Sequence, residues 1–328
     1  MSQFDAGVVF GKFWPLHLGH VELLDRAASI CRDLHVFVDD GPEDVAVAVR
    51  VRWVEEVCPQ ASVRSCPDLC GHESEYCSRN CSEAYAAFVR SQGLVPDAVF
   101  SGEAYGATLA TCLKAASIQI DRSRRECRGR EIRADITGHW ALLAPPARGH
   151  YCQRVVVVGA ESTGTTTLSH DLASHLGAAW VPEYGRAFTE QHGLDHTWTS
   201  ADFVHIAERQ TRDIEAAARG DHAIVVSDTD ARATAIWHER YVGSPAPSYV
   251  VDLASAAPPS LYILTADEIP FVQDGYRDGE HIRGWMTARF REMLAAGDVP
   301  FVEVSGSRWE RLRTAAVAVE RHSRLVDG

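Results

Sequence analysis

The sequence predicts an α/β protein of two domains, each built on a mainly parallel sheet covered by helices. Apolar runs typical of buried strands alternate with helical patterns over residues 1–143. A stretch containing proline and glycine, APPARG at 144–149, interrupts this alternation, and four valines at 155–158 then begin a second strand, loop and helix pattern. We therefore place the domains at 1–147 and 148–328, a division that suits a chain of 328 residues.

Composition narrows the class of protein. The chain is 46% hydrophobic and 23% charged, as globular proteins are, and its net charge is −13. This acidic balance argues against a general nucleic-acid binder or a membrane-surface protein, because both need a basic surface. The N-terminus lacks a signal-peptide pattern and no run approaches the roughly 18 apolar residues of a membrane span, so we expect a cytoplasmic protein. Its expected partners are small molecules, and the sequence leaves open whether it forms homo-oligomers.

The predicted elements follow from hydrophobic periodicity. In the first domain the predicted strands lie at 8–10, 34–38, 61–64, 98–101 and 118–121, and the predicted helices at 21–31, 50–57, 82–91 and 107–116. The second domain has predicted strands at 154–158 and 223–227 and a predicted helix at 168–176. Ligands of parallel sheets bind at the carboxyl ends of the strands, so we expect the functional residues there.

The ten residues at 11–20, GKFWPLHLGH, directly follow the first strand and open the first helix. Backbone N–H groups at a helix N-terminus favour an anion, and two histidines that frame a glycine can both reach one bound group. A lysine adds a full charge in a chain with only two lysines among 32 lysines and arginines. The alternative is a solvated loop with two chance histidines. The pattern predicts a phosphate site with the catalytic residues Lys12, His17 and His20 and the ATP-binding residues Gly11, Phe13 and Gly19.

A second phosphate loop is predicted at 159–167, where GAESTGTTT matches the phosphate-binding loop of kinases except at one position. Thr165 stands where that loop has its lysine, so the charge that reaches the β- and γ-phosphates is missing. The glycines can still form a nest of amides, and Thr166 can still hold Mg²⁺ through its hydroxyl. We expect ATP to contact Gly159, Ser162, Thr163, Gly164, Thr165, Thr166 and Thr167.

Three further segments suit phosphoryl transfer. Carboxylates at 228–230 follow the strand at 223–227, where they can meet Mg²⁺ or a substrate hydroxyl. The residues at 183–186 pair an acid with a base, and those at 274–278 have the character of a lid that carries an arginine over the phosphates. Each segment alone also fits a surface salt bridge. Behind a phosphate loop they predict catalytic roles for Asp228 and Arg277, and substrate binding by Glu183, Tyr184, Arg186 and Asp230.

These motifs are specific enough to identify a family. The chain resembles the NadR-type bifunctional proteins, in which a nicotinamide mononucleotide adenylyltransferase domain is joined to a ribosylnicotinamide kinase domain. The matching stretches are 11–20, 52–53, 101–106, 132–135, 159–167, 183–186, 228–230 and 274–277. The resemblance implies a Rossmann-like nucleotidyltransferase of the HxGH type followed by a P-loop kinase, with Arg52 and Trp53 in substrate binding.

For the first domain the resemblance implies transfer of AMP from ATP to nicotinamide mononucleotide, giving NAD and pyrophosphate, with Mg²⁺. The histidines would bind the triphosphate and its transition state while the 5′-phosphate of the acceptor attacks the α-phosphorus. Six arginines crowd residues 121–133, and we expect Arg128, Arg130 and Arg133 to bind the β- and γ-phosphates, the alternative being a solvated basic loop. Tryptophans expected near 76–81 are absent, which leaves a different acceptor mononucleotide open.

For the second domain the resemblance implies phosphorylation of the 5′-hydroxyl of nicotinamide riboside by ATP. Glu183 and Arg186 would hold the 2′- and 3′-hydroxyls. Because Thr165 replaces the lysine, an alternative stays open in which this domain is a catalytically silent nucleotide sensor.

The cysteines suggest a metal site. Nine cysteines without a secretion signal argue against a disulfide framework. Cys66 with Cys70, and Cys77 with Cys81, form two pairs of equal spacing that can close a structural zinc site, with His72 as a spare ligand. The alternative is a set of unlinked thiols.

Overall fold

The computed structural model describes residues 2–41, 43–70, 78–120, 128–193, 195–273, 275 and 279–322. The chain divides into two compact units, Met1–Ala147 and Arg148–Gly328. Each unit contains a five-stranded sheet, and every strand pairing among the described residues is parallel. The predicted α/β class with two mainly parallel sheets is confirmed.

The central strand of the first unit is the strand that precedes the GKFWPLHLGH stretch. The strands are β1 (Phe4–Gly11), β2 (Cys31–Asp40), β3 (Ser62–Pro67), β4 (Ala98–Ser101) and β5 (Ala116–Gln119), in the order β3-β2-β1-β4-β5. The helices are α1 (Leu18–Ile30), α2 (Val47–Val57), α3 (Arg79–Ser91), α4 (Tyr105–Leu113) and α5 (Gly129–Ala134). Strand order reverses between β1 and β4, which places the stretch after β1 where ligands bind in such sheets.

The boundary between the two compact units falls inside the stretch at 144–149, but the turn predicted there is wrong, because Pro145–Tyr151 form a helix, α6. Proline is favoured in the first turn of a helix, since its missing N–H group would have no partner there and its φ angle is already helical. Pro145 and Pro146 therefore begin a helix at the point where the sequence pattern indicated a turn.

The second unit repeats the arrangement around its own central strand. Its strands are β6 (Gln153–Val158), β7 (Ala179–Val181), β8 (Ile224–Asp228), β9 (Leu261–Thr265) and β10 (Phe301–Val304), in the order β10-β9-β6-β8-β7. Its helices are α7 (Thr165–Leu176), α8 (Tyr184–His192), α9 (Ser200–Ala218), α10 (Ala231–Val242), α11 (Ser248–Ala256), α12 (Arg283–Ala295) and α13 (Arg308–Arg321).

The four valines of β6 show why this strand is central. Val155 and Val157 pack in one hydrophobic cluster, and Val156 and Val158 pack in another. Successive side chains of a strand point to opposite faces of its sheet, so both faces of β6 are covered.

Among the helices that the structure describes, none has the length and apolar character that crossing a bilayer requires.

Candidate active sites

Helix α1 begins with a reciprocal cap made by two histidines. Nδ1 of His17, the N-cap residue, accepts a hydrogen bond from the backbone N–H of Gly19 (3.2 Å), and Nδ1 of His20 accepts one from the backbone N–H of His17 (3.4 Å). The two rings stack with 3.7 Å between their centroids. Because both Nδ1 atoms are acceptors, each neutral ring carries its proton on Nε2. The pair lies at a helix N-terminus, a position that suits phosphate oxygens.

The turn before the histidines is tightly built. Phe13 has a positive φ of 48°, is 1% exposed, and its ring centroid lies 5.0 Å from that of His20. A Cβ atom on Gly11 would lie 3.2 Å from the Phe13 ring. A side chain at this position would therefore press against the aromatic ring that packs beside His20.

A buried charge network that the sequence did not reveal holds Lys12. Its Nζ lies 3.0 Å from Oε1 of Glu43, and Oε2 of Glu43 lies 3.2 Å from Nη2 of Arg50. Arg50 is completely buried and donates to the backbone oxygens of Lys12 (2.6 Å), Asp39 (2.9 Å) and Val45 (2.9 Å). One guanidinium therefore joins the turn after β1 to the end of β2.

Of the three arginines predicted for the triphosphate, Arg133 reaches this turn. Its Nη1 donates to the backbone oxygen of Trp14 (2.6 Å), and its guanidinium lies 4.1 Å from the centroid of the Trp14 ring. Arg128 and Arg130 lie at the start of α5 and are exposed. The structure thus brings one of the three to the turn and leaves two at the surface.

The predicted substrate pair at 52–53 divides between two sides of α2. Arg52 is exposed, and Trp53 is buried. Consecutive helical residues point about 100° apart, so one member of the pair faces solvent while the other packs inside.

A buried carboxyl group lies at the end of β2. Asp39 accepts hydrogen bonds from the hydroxyl of Tyr85 (2.9 Å) and the thiol of Cys66 (3.2 Å). Burial raises the pKa of Asp39 to about 6, although these hydrogen bonds oppose the rise. Burial likewise raises the pKa of the Cys66 thiol.

The predicted zinc ligands are placed only in part. Cys66 donates to Asp39, the Sγ atoms of Cys70 and Cys81 lie 3.0 Å apart, and Cys77 lies outside the described residues. Within the described ranges no group of three or more His, Cys, Asp or Glu side chains is arranged to hold a metal. The zinc site stays a prediction.

The phosphate loop of the second unit leaves no room for a side chain at its first glycine. A Cβ atom on Gly159 would lie 2.1 Å from Oγ1 of Thr265 and 2.6 Å from Oγ1 of Thr163. Gly164 has a φ of 85°, a conformation that favours glycine, and caps helix α7, which begins at Thr165. The loop therefore presents backbone amides at a helix N-terminus, as phosphate-binding loops do.

An open cleft lies over this loop. The polar residues that line it include Thr165 and Thr166 of the loop, Asp228 at the end of β8, and Glu183 and Arg186 at the start of α8. The structure thus gathers the phosphate loop, one predicted catalytic carboxylate and two predicted substrate-binding residues around a single space.

Asp228 is the buried carboxylate of this cleft. It is 1% exposed, and its Oδ2 has no hydrogen-bond partner among the described residues. Burial raises the pKa of Asp228 to about 6, while the hydroxyls of Thr166 and Thr165 partly offset this rise. The buried oxygen and the adjacent hydroxyls form an all-oxygen donor set of the kind that Mg²⁺ prefers.

Aromatic rings form another wall of the cleft. Trp198 and Tyr241 stack with centroids 5.1 Å apart, and Phe203 lies 5.1 Å from Trp198. Trp237 lies one helical turn before Tyr241 on α10 and lines the same cleft. Flat apolar surfaces of this kind suit a planar ring. Sequence reasoning missed this wall, although the spacing of Trp237 and Tyr241 on one helix face was a usable signal.

Two other predicted substrate residues are not among those that line the cleft. The hydroxyl of Tyr184 lies 3.2 Å from Nε2 of His205. Asp230 caps α10, its Oδ1 accepting from the backbone N–H of Ala233 (2.8 Å) and its Oδ2 from the hydroxyl of Tyr262. Arg277 lies outside the described residues.

Comparison with known proteins bears on both units. A sequence family described as an AAA domain matches residues 154–311, which include the second phosphate loop. The trifunctional NAD biosynthesis/regulator protein NadR of Salmonella typhimurium is 28% identical over 331 residues, covering 94% of this chain and 80% of that protein. The protein of the same description from Escherichia coli is 27% identical, covering 91% and 78%. The resemblance to the NadR-type proteins is confirmed.

Solved NadR structures share the fold. The crystal structure of a NadR protein in complex with NR matches with a TM-score of 0.70 and 22% identity, covering 98% of this chain and 97% of that one. A NadR protein in complex with NAD and AMP-PNP matches with a TM-score of 0.67 and 20% identity over the same shares. The NadR-type fold thus extends over both units.

Proposed function

We propose that the first domain transfers AMP from ATP to nicotinamide mononucleotide, giving NAD and pyrophosphate, and that the second phosphorylates nicotinamide riboside from ATP. The observation that carries the proposal is the stacked, reciprocally capped pair of histidines where the central strand β1 meets α1. Two sets of similar proteins support the substrates: the bacterial relatives are described as NAD biosynthesis/regulator proteins, and NadR structures were solved with NR and with NAD and AMP-PNP. The product of the second domain is then the acceptor of the first. Because both reactions consume ATP, we place the protein in the cytoplasm.

In the first domain an oxygen of the acceptor's 5′-phosphate attacks the α-phosphorus of ATP. The bond between the α-phosphorus and the oxygen that bridges the α- and β-phosphates breaks. Pyrophosphate leaves with the electron pair of that bond. Such a displacement needs no protein nucleophile but does need donors where negative charge grows. We assign this role to Nε2–H of His17 and His20, and we place the charge of Lys12 beside the triphosphate.

In the second domain the 5′-hydroxyl oxygen of the riboside attacks the γ-phosphorus of ATP, and ADP leaves. We assign the hydroxyl proton to Asp228, because it is the buried carboxylate that lines the cleft beside the phosphate loop. Mg²⁺ fits the oxygen donors of Thr166 and Asp228 and would neutralise phosphate charge when bound. Glu183 and Arg186 face the ribose hydroxyls, and the aromatic wall takes the pyridine ring.

The test is product analysis with the purified protein. ATP is supplied with nicotinamide mononucleotide, nicotinic acid mononucleotide or nicotinamide riboside, and products are identified by mass. We expect NAD with pyrophosphate from the first acceptor. From the riboside we expect ADP with nicotinamide mononucleotide, followed by NAD and pyrophosphate as the first domain uses that mononucleotide. Absence of a dinucleotide from nicotinamide mononucleotide contradicts the first activity, and absence of riboside phosphorylation contradicts the second.

Thr165 favours one alternative for the second domain. Without the loop lysine, the domain would bind ATP as a sensor and leave the riboside unchanged. ATP binding to the phosphate loop without riboside turnover would select this alternative.

A further inference from the structure

Gln210 lies within α9 and is completely buried. Its neighbours on the same face of the helix, Phe203 and Ile206, line the cleft of the second domain. A buried carboxamide needs partners for its oxygen and for its N–H groups. The partners of Gln210 all lie in the two segments that carry the cleft carboxylates Glu183 and Asp228.

On one side, Gln210 brackets Glu183. Its Oε1 accepts from the backbone N–H of Tyr184 (2.8 Å), and its Nε2 donates to the backbone oxygen of Pro182 (3.3 Å). Glu183 is the N-cap residue of α8, yet its side chain makes no capping hydrogen bond. The first N–H groups of a helix need an acceptor. Gln210 supplies one from another helix, so the Glu183 carboxylate lines the cleft instead of capping its own helix.

On the other side, Gln210 supports the turn that follows β8. Its Nε2 donates to Oγ of Ser227 (3.1 Å) and lies 3.4 Å from the backbone oxygen of Asp228. Oγ of Ser227 donates in turn to the backbone oxygen of Thr229 (2.7 Å), a residue with a φ of 72°. A β-branched residue rarely adopts this left-handed conformation, and it persists only where its surroundings hold it. The chain of bonds from Gln210 holds the turn that aims Asp228.

We propose that Gln210 is a positioning residue of the kinase reaction, which sets the spacing between Glu183 on the ribose and Asp228 on the reacting hydroxyl. The inference rests on the proposed kinase function. A displacement of about 1 Å in such a site can cost roughly a hundredfold in rate, so one shared carboxamide has large leverage.

Two variants of similar size separate the donors from the acceptor. Gln210→Glu keeps an acceptor for Tyr184 but loses both N–H donors at neutral pH, and Gln210→Met loses all the hydrogen bonds. Both are expected to raise KM for the riboside roughly tenfold or more and to lower kcat, with KM for ATP within about twofold of wild type. In Gln210→Glu the defect, expressed relative to wild type at each pH, should shrink as pH falls, because a protonated carboxyl group regains a donor toward Ser227.

Gln153→Met is the matched control. Gln153 is 2% exposed in β6, and its Nε2 donates to the backbone oxygens of Val319 (3.4 Å) and His322 (3.5 Å). Its loss should lower the melting temperature and leave the riboside KM unchanged.

The outcomes separate the two claims. Two results overturn the positioning role alone. In the first, wild type is active and both Gln210 variants keep its riboside KM. In the second, Gln210→Met behaves as Gln153→Met does. If Gln210→Met fails to fold, the riboside KM of Gln210→Glu decides, and a value equal to that of wild type overturns the role. A wild type that does not phosphorylate the riboside overturns the proposed function, and the positioning role with it.

Discussion

Replacing Asp228 with asparagine is expected to stabilise the second domain while removing its kinase activity. Burial raises the pKa of this carboxyl group from 3.8 to about 6. At neutral pH the folded protein therefore carries a buried charge that the unfolded chain exposes to water. The two pKa values differ by about 2 pH units, and each unit corresponds to about 1.4 kcal/mol, so the charge lowers the free energy of unfolding by about 3 kcal/mol. An asparagine of the same shape removes this penalty.

The stability that Asp228→Asn gains should be present at neutral pH and lost at acidic pH. Because the folded-state pKa is raised, the folded protein binds the proton more tightly than the unfolded chain does. The penalty is thus fully present above about pH 6 and disappears as pH falls toward 4. Thermal unfolding without ATP or Mg²⁺ should show a melting temperature for Asp228→Asn roughly 6–12 °C above wild type at pH 7.5, and almost equal to it near pH 4.

Asp202→Asn is the control variant, for which we expect a change in melting temperature of the opposite sign. Burial alone would raise the pKa of Asp202, but hydrogen bonds from Thr199 and His196 outweigh it and lower the pKa. This carboxylate therefore contributes stability that is present at neutral pH and lost as pH falls, so Asp202→Asn should melt below wild type at pH 7.5. An Asp228→Asn variant that melts with wild type at pH 7.5, or whose gain persists near pH 4, would refute the reasoning. If Asp228→Asn still phosphorylates the riboside, Asp228 is not needed for the reaction.

Further expectations concern the two phosphate loops and the cysteines. His17→Ala and His20→Ala should each slow NAD formation, followed as pyrophosphate release, by roughly 10² or more, and an unchanged rate in a folded variant would place the histidines elsewhere. Lys12→Ala should raise KM for ATP more than KM for the mononucleotide, and an equal rise in both would move Lys12 away from the triphosphate. Wild type should phosphorylate nicotinamide riboside and Thr165→Lys should raise kcat, whereas activity in the variant alone would make the natural domain a sensor. If the cysteines bind structural zinc, elemental analysis of metal-replete protein should detect zinc. A protein without zinc would mean that the cysteines are unlinked thiols.

Local patterns sufficed to predict the phosphate loops, because each condition of such a loop lies within about ten consecutive residues. The buried strand, the glycines and the opening helix are adjacent at 11–20 and again at 159–167. Element ends were less predictable. Helix α4 ends at Leu113 because Lys114 takes the left-handed conformation (φ 59°) that glycine usually supplies, so β5 begins at Ala116, two residues before the predicted start.

The supporting contacts could not be predicted from pattern alone. Gln210 bonds to residues 26 and 18 positions away, and Arg50 bonds to the carbonyl of Lys12 across 38 positions. Nothing near Gln210 or Arg50 in sequence indicates that the side chain is buried, since polar residues on helices are usually exposed. Their roles follow only from the strand order that brings distant segments together.

The turns after β1 and β6 share one device, in which a buried arginine holds a backbone carbonyl of the turn. Arg50 joins the carbonyl of Lys12 to Glu43 in the first domain, and Arg311, 4% exposed, joins the carbonyl of Thr163 (2.6 Å) to Glu268 (2.6 Å) in the second. The C=O and N–H of a trans peptide point in opposite directions, so a carbonyl held by an interior guanidinium turns the adjoining N–H away from it. Only the planar, multiply donating guanidinium can bridge several carbonyls and a carboxylate at once, which a single ammonium on a flexible stem cannot do. Arginine at these interior positions follows from that difference, because each position needs a fork of donors.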